Sequence, residues 1–216
     1  MRLHPMPSSR PAILGGMLIG LGLVGPLMAA PVTVKVHGQG GAALADAVLT
    51  LHAAQGRTPT PAPGKAEIEQ VAKSFRPHLT VVPVGSSVEF PNRDTVRHHV
   101  YSFSPAKKFE LKLYAGTPPT PVVFDKPGAV ALGCNIHDLM NAWVFVVDTP
   151  WYARSGADGL ARTDVPAGQY VLRVWHPDLP ATAKPLEQPL TVPAGGATLT
   201  VPLPVRPAAR TGHAHG

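Results

Sequence analysis

From residue 32 onward, apolar and polar positions alternate in short runs. Residues 32–36 read Val-Thr-Val-Lys-Val, and residues 109–114 set Phe, Leu and Leu against Glu and Lys. The same period of two, or a short apolar run, recurs at 47–52, 66–71, 79–84, 87–90, 99–103, 121–124, 129–132, 141–147, 159–163, 169–175, 189–192 and 197–203. A period of two puts alternate side chains on opposite faces of a strand. Turn signals separate the runs: Gly38 to Gly41, Gly85, Lys126-Pro-Gly128 and Thr149-Pro150. Short strands with turns every 8–12 residues predict an all-β sandwich architecture. After the first 30 residues no stretch supports a long amphipathic helix, and only Asp138-Leu-Met-Asn suits a single helical turn.

The first 30 residues follow another pattern. Arg2 and Arg10 precede an apolar run from Ala12 to Gly25, and the small residues Ala29 and Ala30 follow. A basic start, an apolar stretch and small residues mark a secretory leader. The run is shorter than the ~18 apolar residues of a spanning helix, and no adjacent arginine pair precedes it. General export to the periplasm is expected, with no membrane span left after cleavage. Removing residues 1–30 takes away Arg2, Arg10 and no acid, which lowers the formal net charge from +6 to +4. That charge is spread along the chain with no basic helix, so nucleic acid is not an expected partner.

The 216 residues include 21 Gly and 26 Pro, yet 44% are hydrophobic and 15% charged. So apolar a chain buries a core, and wholesale disorder is excluded. Residues 55–64 are rich in Pro, Thr and Gly and read as a linker; the polar residues from Arg206 read as a loose tail.

Cys134 is the single cysteine. It excludes an intramolecular disulfide, a CxxC redox pair and a multi-cysteine metal site. A buried thiol, a nucleophile or a thiolate ligand remain. The sequence around it is Cys134-Asn-Ile-His137-Asp-Leu-Met140, between two predicted strands. Thiolate, imidazole and thioether together suit copper. A site of one thiolate, two imidazoles and a weak thioether accepts Cu(I) and Cu(II) with little rearrangement. The second imidazole has to come from another loop, and Arg97-His98-His99-Val100 offers two candidates. Taken singly, each residue has an ordinary reading as core or strand end. A nucleophilic Cys134 with His137 as its base leaves Met140 and the histidine loop without a role.

These residues resemble the cupredoxins, nearest to amicyanin and plastocyanin. Val84-Gly-Ser-Ser-Val-Glu-Phe90 is similar to their VGDTV-x-F/W hairpin, and Phe124-Asp-Lys-Pro-Gly128 to their F-x-x-x-G turn. Asn92-Arg-Asp-Thr-Val-Arg-His98-His-Val100 resembles N-x(5)-H-N-V, and C-x2-H-x2-M matches the short ligand loop of amicyanin. The resemblance implies a Greek-key β-sandwich with one type 1 copper ion on His98, Cys134, His137 and Met140, and His99 as the alternative to His98. Two positions depart from the pattern: His99 replaces an Asn that ties the ligand loops together, and Ile136 replaces a Pro. His78, His37 and His52 are read as strand residues without a metal role, and Trp143 and Phe145 as core.

The flanks resemble a second family. Residues 155–174 resemble carboxypeptidase regulatory-like modules, whose signature is DG-x-F…VPAG-x-Y-x-L-x-V, and residues 32–51 resemble the opening strands of the same module. The expected organisation is a leader at 1–30, first module strands at 31–55, a linker at 56–65, a cupredoxin domain at 66–148, the rest of a small Ig/prealbumin-like β-sandwich at 149–205 and a tail at 206–216. The cupredoxin domain is then an insertion in the module, the alternative being two serial domains.

The resemblance implies a non-enzymatic electron carrier whose partners are redox proteins, such as c-type cytochromes or an exported dehydrogenase. A copper-buffering protein without fast electron transfer, or a cell-envelope interaction module, are the competing expectations. Slow electron exchange marks the first, and partner binding that survives loss of Cys134 marks the second.

Overall fold

The computed structural model describes Met1, residues 29–180 and residues 183–206. The leader expected at 1–30 lies outside these residues except for Met1 and for Ala29 and Ala30, which open the first strand; of the expected tail only Arg206 is described. Among the described residues no helix is long and apolar enough to cross a membrane.

The chain forms β1 (Ala29–His37), β2 (Val48–Ala53), β3 (Lys65–Glu67), β4 (Glu69–Val71), β5 (Ser74–Arg76) and β6 (Leu79–Pro83). It continues through β7 (Ser86–Glu89), β8 (His98–Ser104), β9 (Lys107–Tyr114), β10 (Val122–Phe124), β11 (Gly128–Gly133) and β12 (Asn141–Val147). It ends with β13 (Tyr152–Arg154), β14 (Leu160–Pro166), β15 (Gly168–Trp175), β16 (Leu186–Val192) and β17 (Ala197–Pro202). The protein is nearly all β, as the alternation predicts.

Two cores organise these strands. The middle of the chain makes a five-stranded sheet, β6-β12-β11-β8-β9, and a three-stranded sheet, β10-β7-β3. Their inner faces bury Val88, Phe90, Val100, Phe124, Val130 and Val144 in a cupredoxin-like β-sandwich. The flanks make the sheets β14-β1-β17 and β13-β2-β15-β16, whose inner faces bury Val34, Leu51, Leu172 and Val201. Here β1 pairs antiparallel with β14 (Val34↔Ala161) and parallel with β17 (Val34↔Leu199), and β2 pairs with β15 (Leu51↔Leu172). The strands before residue 54 thus hydrogen-bond to strands after residue 151. Thr149 Oγ1 donates to the Leu51 carbonyl at 2.7 Å, and Leu51 N–H donates to the Trp151 carbonyl at 2.9 Å. The departing and returning chain are held side by side there.

Four details differ from the sequence reading. The single strand expected over 66–71 splits at the fully buried Ile68, because β3 pairs with β7 and β4 turns into a hairpin with β5. The three-residue strands β5 and β13 are too short to show a period. The helical turn expected at Asp138 to Asn141 is a hydrogen-bonded turn, Met140 N–H to the His137 carbonyl at 2.9 Å, after which Asn141 starts β12. Trp143 and Phe145 leave the middle core and pack on Trp175 of the flanking sandwich, with ring centroids 5.2 and 4.8 Å away.

One glycine of the flanking signature is structurally required. Gly159 has φ +75°, and a Cβ there would lie 2.5 Å from the Val36 carbonyl oxygen. The Val36 N–H also donates to the Gly159 carbonyl at 2.8 Å, so this turn is locked to β1. Gly159→Ala combines a left-handed backbone with a backbone overlap, and is expected to cost roughly 3 kcal/mol. Thermal unfolding followed by circular dichroism checks this; an unchanged midpoint contradicts it.

Candidate metal centre

The site forms where two connections of the middle sandwich meet. The first precedes β8 and is shaped by Asn92, which is nearly buried. Its side-chain amide donates to the carbonyls of Val96 at 2.8 Å and Tyr114 at 2.9 Å, and its Oδ1 accepts the Asp94 N–H at 2.9 Å. Tyr114 is itself fixed below the loop, donating its hydroxyl to the Phe90 carbonyl at 2.6 Å. Burial raises the Tyr114 pKa to about 12, with the Gln70 hydrogen bond pulling it down and Cys134 pushing it up.

Asp94 is the anchor between this loop and its first candidate ligand. One carboxylate oxygen accepts the Ala72 N–H at 2.7 Å, and the other the Lys73 N–H at 2.9 Å. Ala72 and Lys73 both have positive φ, 52° and 53°, in the tight β4–β5 turn. The same carboxylate lies 2.7 Å from His98 Nε2. Burial tends to raise the Asp94 pKa, but the hydrogen bonds from Lys73, His98 and Ala72 outweigh it, and the carboxyl titrates below its ordinary 3.8. A depressed folded-state pKa contributes stability that is present above 3.8 and lost as pH falls through the folded value.

The second connection runs from Cys134, at the end of β11, to Met140, just before β12. Cys134 and Met140 are both buried in the middle core, while His137 is half-buried. One donor atom each from His98, Cys134 and His137 lies within 4.8 Å of the others. The two imidazole rings meet edge to face with centroids 5.0 Å apart. Nδ1 of His98 and Nδ1 of His137 are buried without a hydrogen-bond partner. An unpaired buried polar atom costs about 1–3 kcal/mol, so two of them on the rings that meet a buried thiol fit an ion ligated in this cluster. The donor set is soft, one sulfur and two imidazole nitrogens, with a buried thioether in the same core, and it fits copper. With Nε2 of His98 held by Asp94, Nδ1 is left to ligate, a carboxylate–histidine arrangement that fixes the ring.

The structure separates the two adjacent histidines. His98 joins the cluster. His99 is also buried but turns to the other face of β8, where its Nε2 lies 2.9 Å from Glu110 Oε1 and its ring packs on Tyr101 at 5.5 Å. It therefore does not take over the loop-tying role of the Asn it replaces. Ile136 is half exposed. His78 is exposed and lies 3.1 Å from Asn141 Oδ1, outside the cluster. His37 and His52 sit in β1 and β2 of the flanking sandwich. The sequence reading missed Asp94, although the Asn-x-Asp spacing after Phe90 signals a side-chain-capped loop.

Asp94→Ala frees the His98 ring and leaves the Ala72 and Lys73 N–H groups unpaired. Copper affinity is expected to fall about 10–100-fold, measured by competition with a chelator. An unchanged affinity contradicts the role given to Asp94.

An all-β sandwich closing on a His–Cys–His group is the class of site seen here. No protein-family model and no curated protein sequence matches the chain. Solved structures similar to it are cupredoxins and related copper proteins. A purple cupredoxin from Nitrosopumilus maritimus is 23% identical, over 38% of this chain and 99% of its own, with TM-score 0.34. A Cu(I) amicyanin variant is 19% identical, over 38% of this chain and 82% of its own, with TM-score 0.35. A Cu-containing nitrite reductase from Thermus scotoductus is 24% identical over 46% of this chain, with TM-score 0.36; the chain spans only 25% of that protein's length.

Proposed function

We propose that this chain is an exported, mononuclear type 1 copper protein that carries single electrons in the periplasm. The carrying observation is the convergence of His98, Cys134 and His137 donor atoms within 4.8 Å, with Nδ1 of both histidines buried and unpartnered. His98, Cys134 and His137 hold the metal, and Met140 is the weak fourth ligand. Bound copper supplies a one-electron Cu(I)/Cu(II) couple. The surrounding strands preset the donors, which keeps reorganisation small. Cys134 is the electronic conduit into the sheet, and His137 is the ligand nearest the surface.

The surface around His137 supports transfer to a protein partner. Leu139 is 93% exposed and Ile136 is nearly half exposed, both within two residues of His137. Exposed apolar side chains on either side of the ligand histidine suit brief docking to redox proteins, for which c-type cytochromes or an exported dehydrogenase are the candidates. The leader at 1–30 carries the proposed location. The paired flanking strands support reading the cupredoxin domain at 66–148 as an insertion in a carboxypeptidase regulatory-like module.

Leu139→Lys tests the carrier reading. The visible spectrum of the copper protein is expected to stay unchanged, while the bimolecular rate of electron exchange with a c-type cytochrome falls roughly tenfold. Exchange that is already slow in the parent protein contradicts a carrier and favours copper buffering.

A further inference from the structure

The outer face of the five-stranded sheet carries a crevice of about 940 Å³ between the two sandwiches. Its floor is a row of small residues on β11: Ala129, Ala131 and Gly133. Its walls are aromatic. Tyr101 and Phe103 stand on β8, with Tyr101 opposite Gly133; Trp143 and Phe145 stand on β12, opposite Ala131 and Ala129. Trp175 of the flanking sandwich closes one side by packing on both β12 rings. Neighbouring strands are about 4.8 Å apart, so the two wall strands stand roughly 9.6 Å apart. That leaves room for one planar ring between aromatic faces. At Gly133 the Tyr101 ring lies across the floor, where a Cβ would come 2.8 Å from it, so the open part of the floor is Ala129 and Ala131.

Among the described residues, no Lys, Arg or His lines the crevice, and its one carboxylate is Asp138, with the amides of Asn135 and Asn141 in the same lining. Outside the lining, Arg173 lies 2.8 Å from Glu187, while Lys108, cross-strand from Phe103, and Lys184, between the lining residues Ala183 and Pro185, are exposed to solvent, which screens them. Aromatic faces are negative and attract cations, and Asp138 adds a full negative charge. The volume matches a small-molecule site, and such sites form where two modules meet.

From this shape and charge we propose that the crevice binds a ring-bearing organic ammonium ion, its ring between the two walls and its charge toward Asp138. The four aromatic wall residues are not proposed ligands, but one end of the crevice reaches Cys134 and Met140 of the metal centre, so binding is compared in the copper-free and copper-loaded protein.

Three probes share one ring and differ in charge: 2-phenylethylammonium, 2-phenylethanol and phenylacetate. Each is titrated into the full chain, copper-free and copper-loaded, with tryptophan fluorescence and calorimetry as readouts. The ammonium is expected to bind saturably and tightest, the alcohol more weakly, and the acetate weakest. Asp138→Asn is expected to weaken the ammonium about tenfold and leave the alcohol unchanged. Phe103→Ala, at a position 78% exposed in the free protein and therefore tolerant of change, weakens both. No saturable ammonium binding, equal or tighter binding of the acetate or alcohol, or indifference to Asp138→Asn overturns the proposal.

Discussion

Replacing Cys134 with Ser is expected to abolish the intense visible absorption of the copper-loaded protein and to widen its copper hyperfine splitting. The absorption of a type 1 centre arises from charge transfer between a thiolate sulfur and copper, and a hydroxyl oxygen is too hard a donor to replace it. Cys134 is the one cysteine of the chain, so no second thiol compensates. It is also 4% exposed within the middle core. Serine is close in size, and the substitution is expected to leave the sandwich folded, which circular dichroism checks. A variant that keeps the band places the sulfur ligand elsewhere and removes the basis for the site.

The second large effect separates two neighbouring residues. His98→Ala is expected to eliminate the same absorption and cut copper affinity by orders of magnitude, since it removes one of three strong donors. His99→Ala is expected to leave the absorption in place. His99 faces Glu110 and Tyr101 across the sheet from the cluster. Its removal costs stability through lost packing and the unpaired Glu110 contact, seen as a lower unfolding midpoint. The reverse pattern, with His99→Ala losing the band, contradicts the assignment. Optical titration with Cu(II) of both variants decides it.

This contrast also shows where sequence reading stops. Alternation made most strands visible, because a face buried in a sandwich needs an apolar residue at every second position. Side-chain type and spacing marked Cys134, His137 and Met140, because all three lie on one short connection. His98 and His99 occupy opposite faces of one strand, and which face meets the cysteine loop depends on how β8 pairs with β11 and β9. Spacing alone cannot supply that register. Asp94 was hidden for a similar reason: its partners Ala72 and Lys73 lie in a hairpin some 20 residues earlier, and only the folded chain brings them to His98. Trp143 and Phe145 were legible as one face of a strand, but what covers that face is the flanking sandwich, and that contact is long-range. Gly159 appeared as part of a signature, and its left-handed backbone against Val36 explains why the signature needs it.

The central claim is that His98, Cys134, His137 and Met140 make one type 1 copper site. Addition of Cu(II) to the purified metal-free protein, followed by visible absorption and electron paramagnetic resonance, tests it most directly. The account predicts one equivalent of copper taken up, an intense thiolate-to-copper band and a narrow hyperfine splitting. Weak absorption with the wide splitting of an ordinary Cu(II) complex, or no uptake at all, contradicts it.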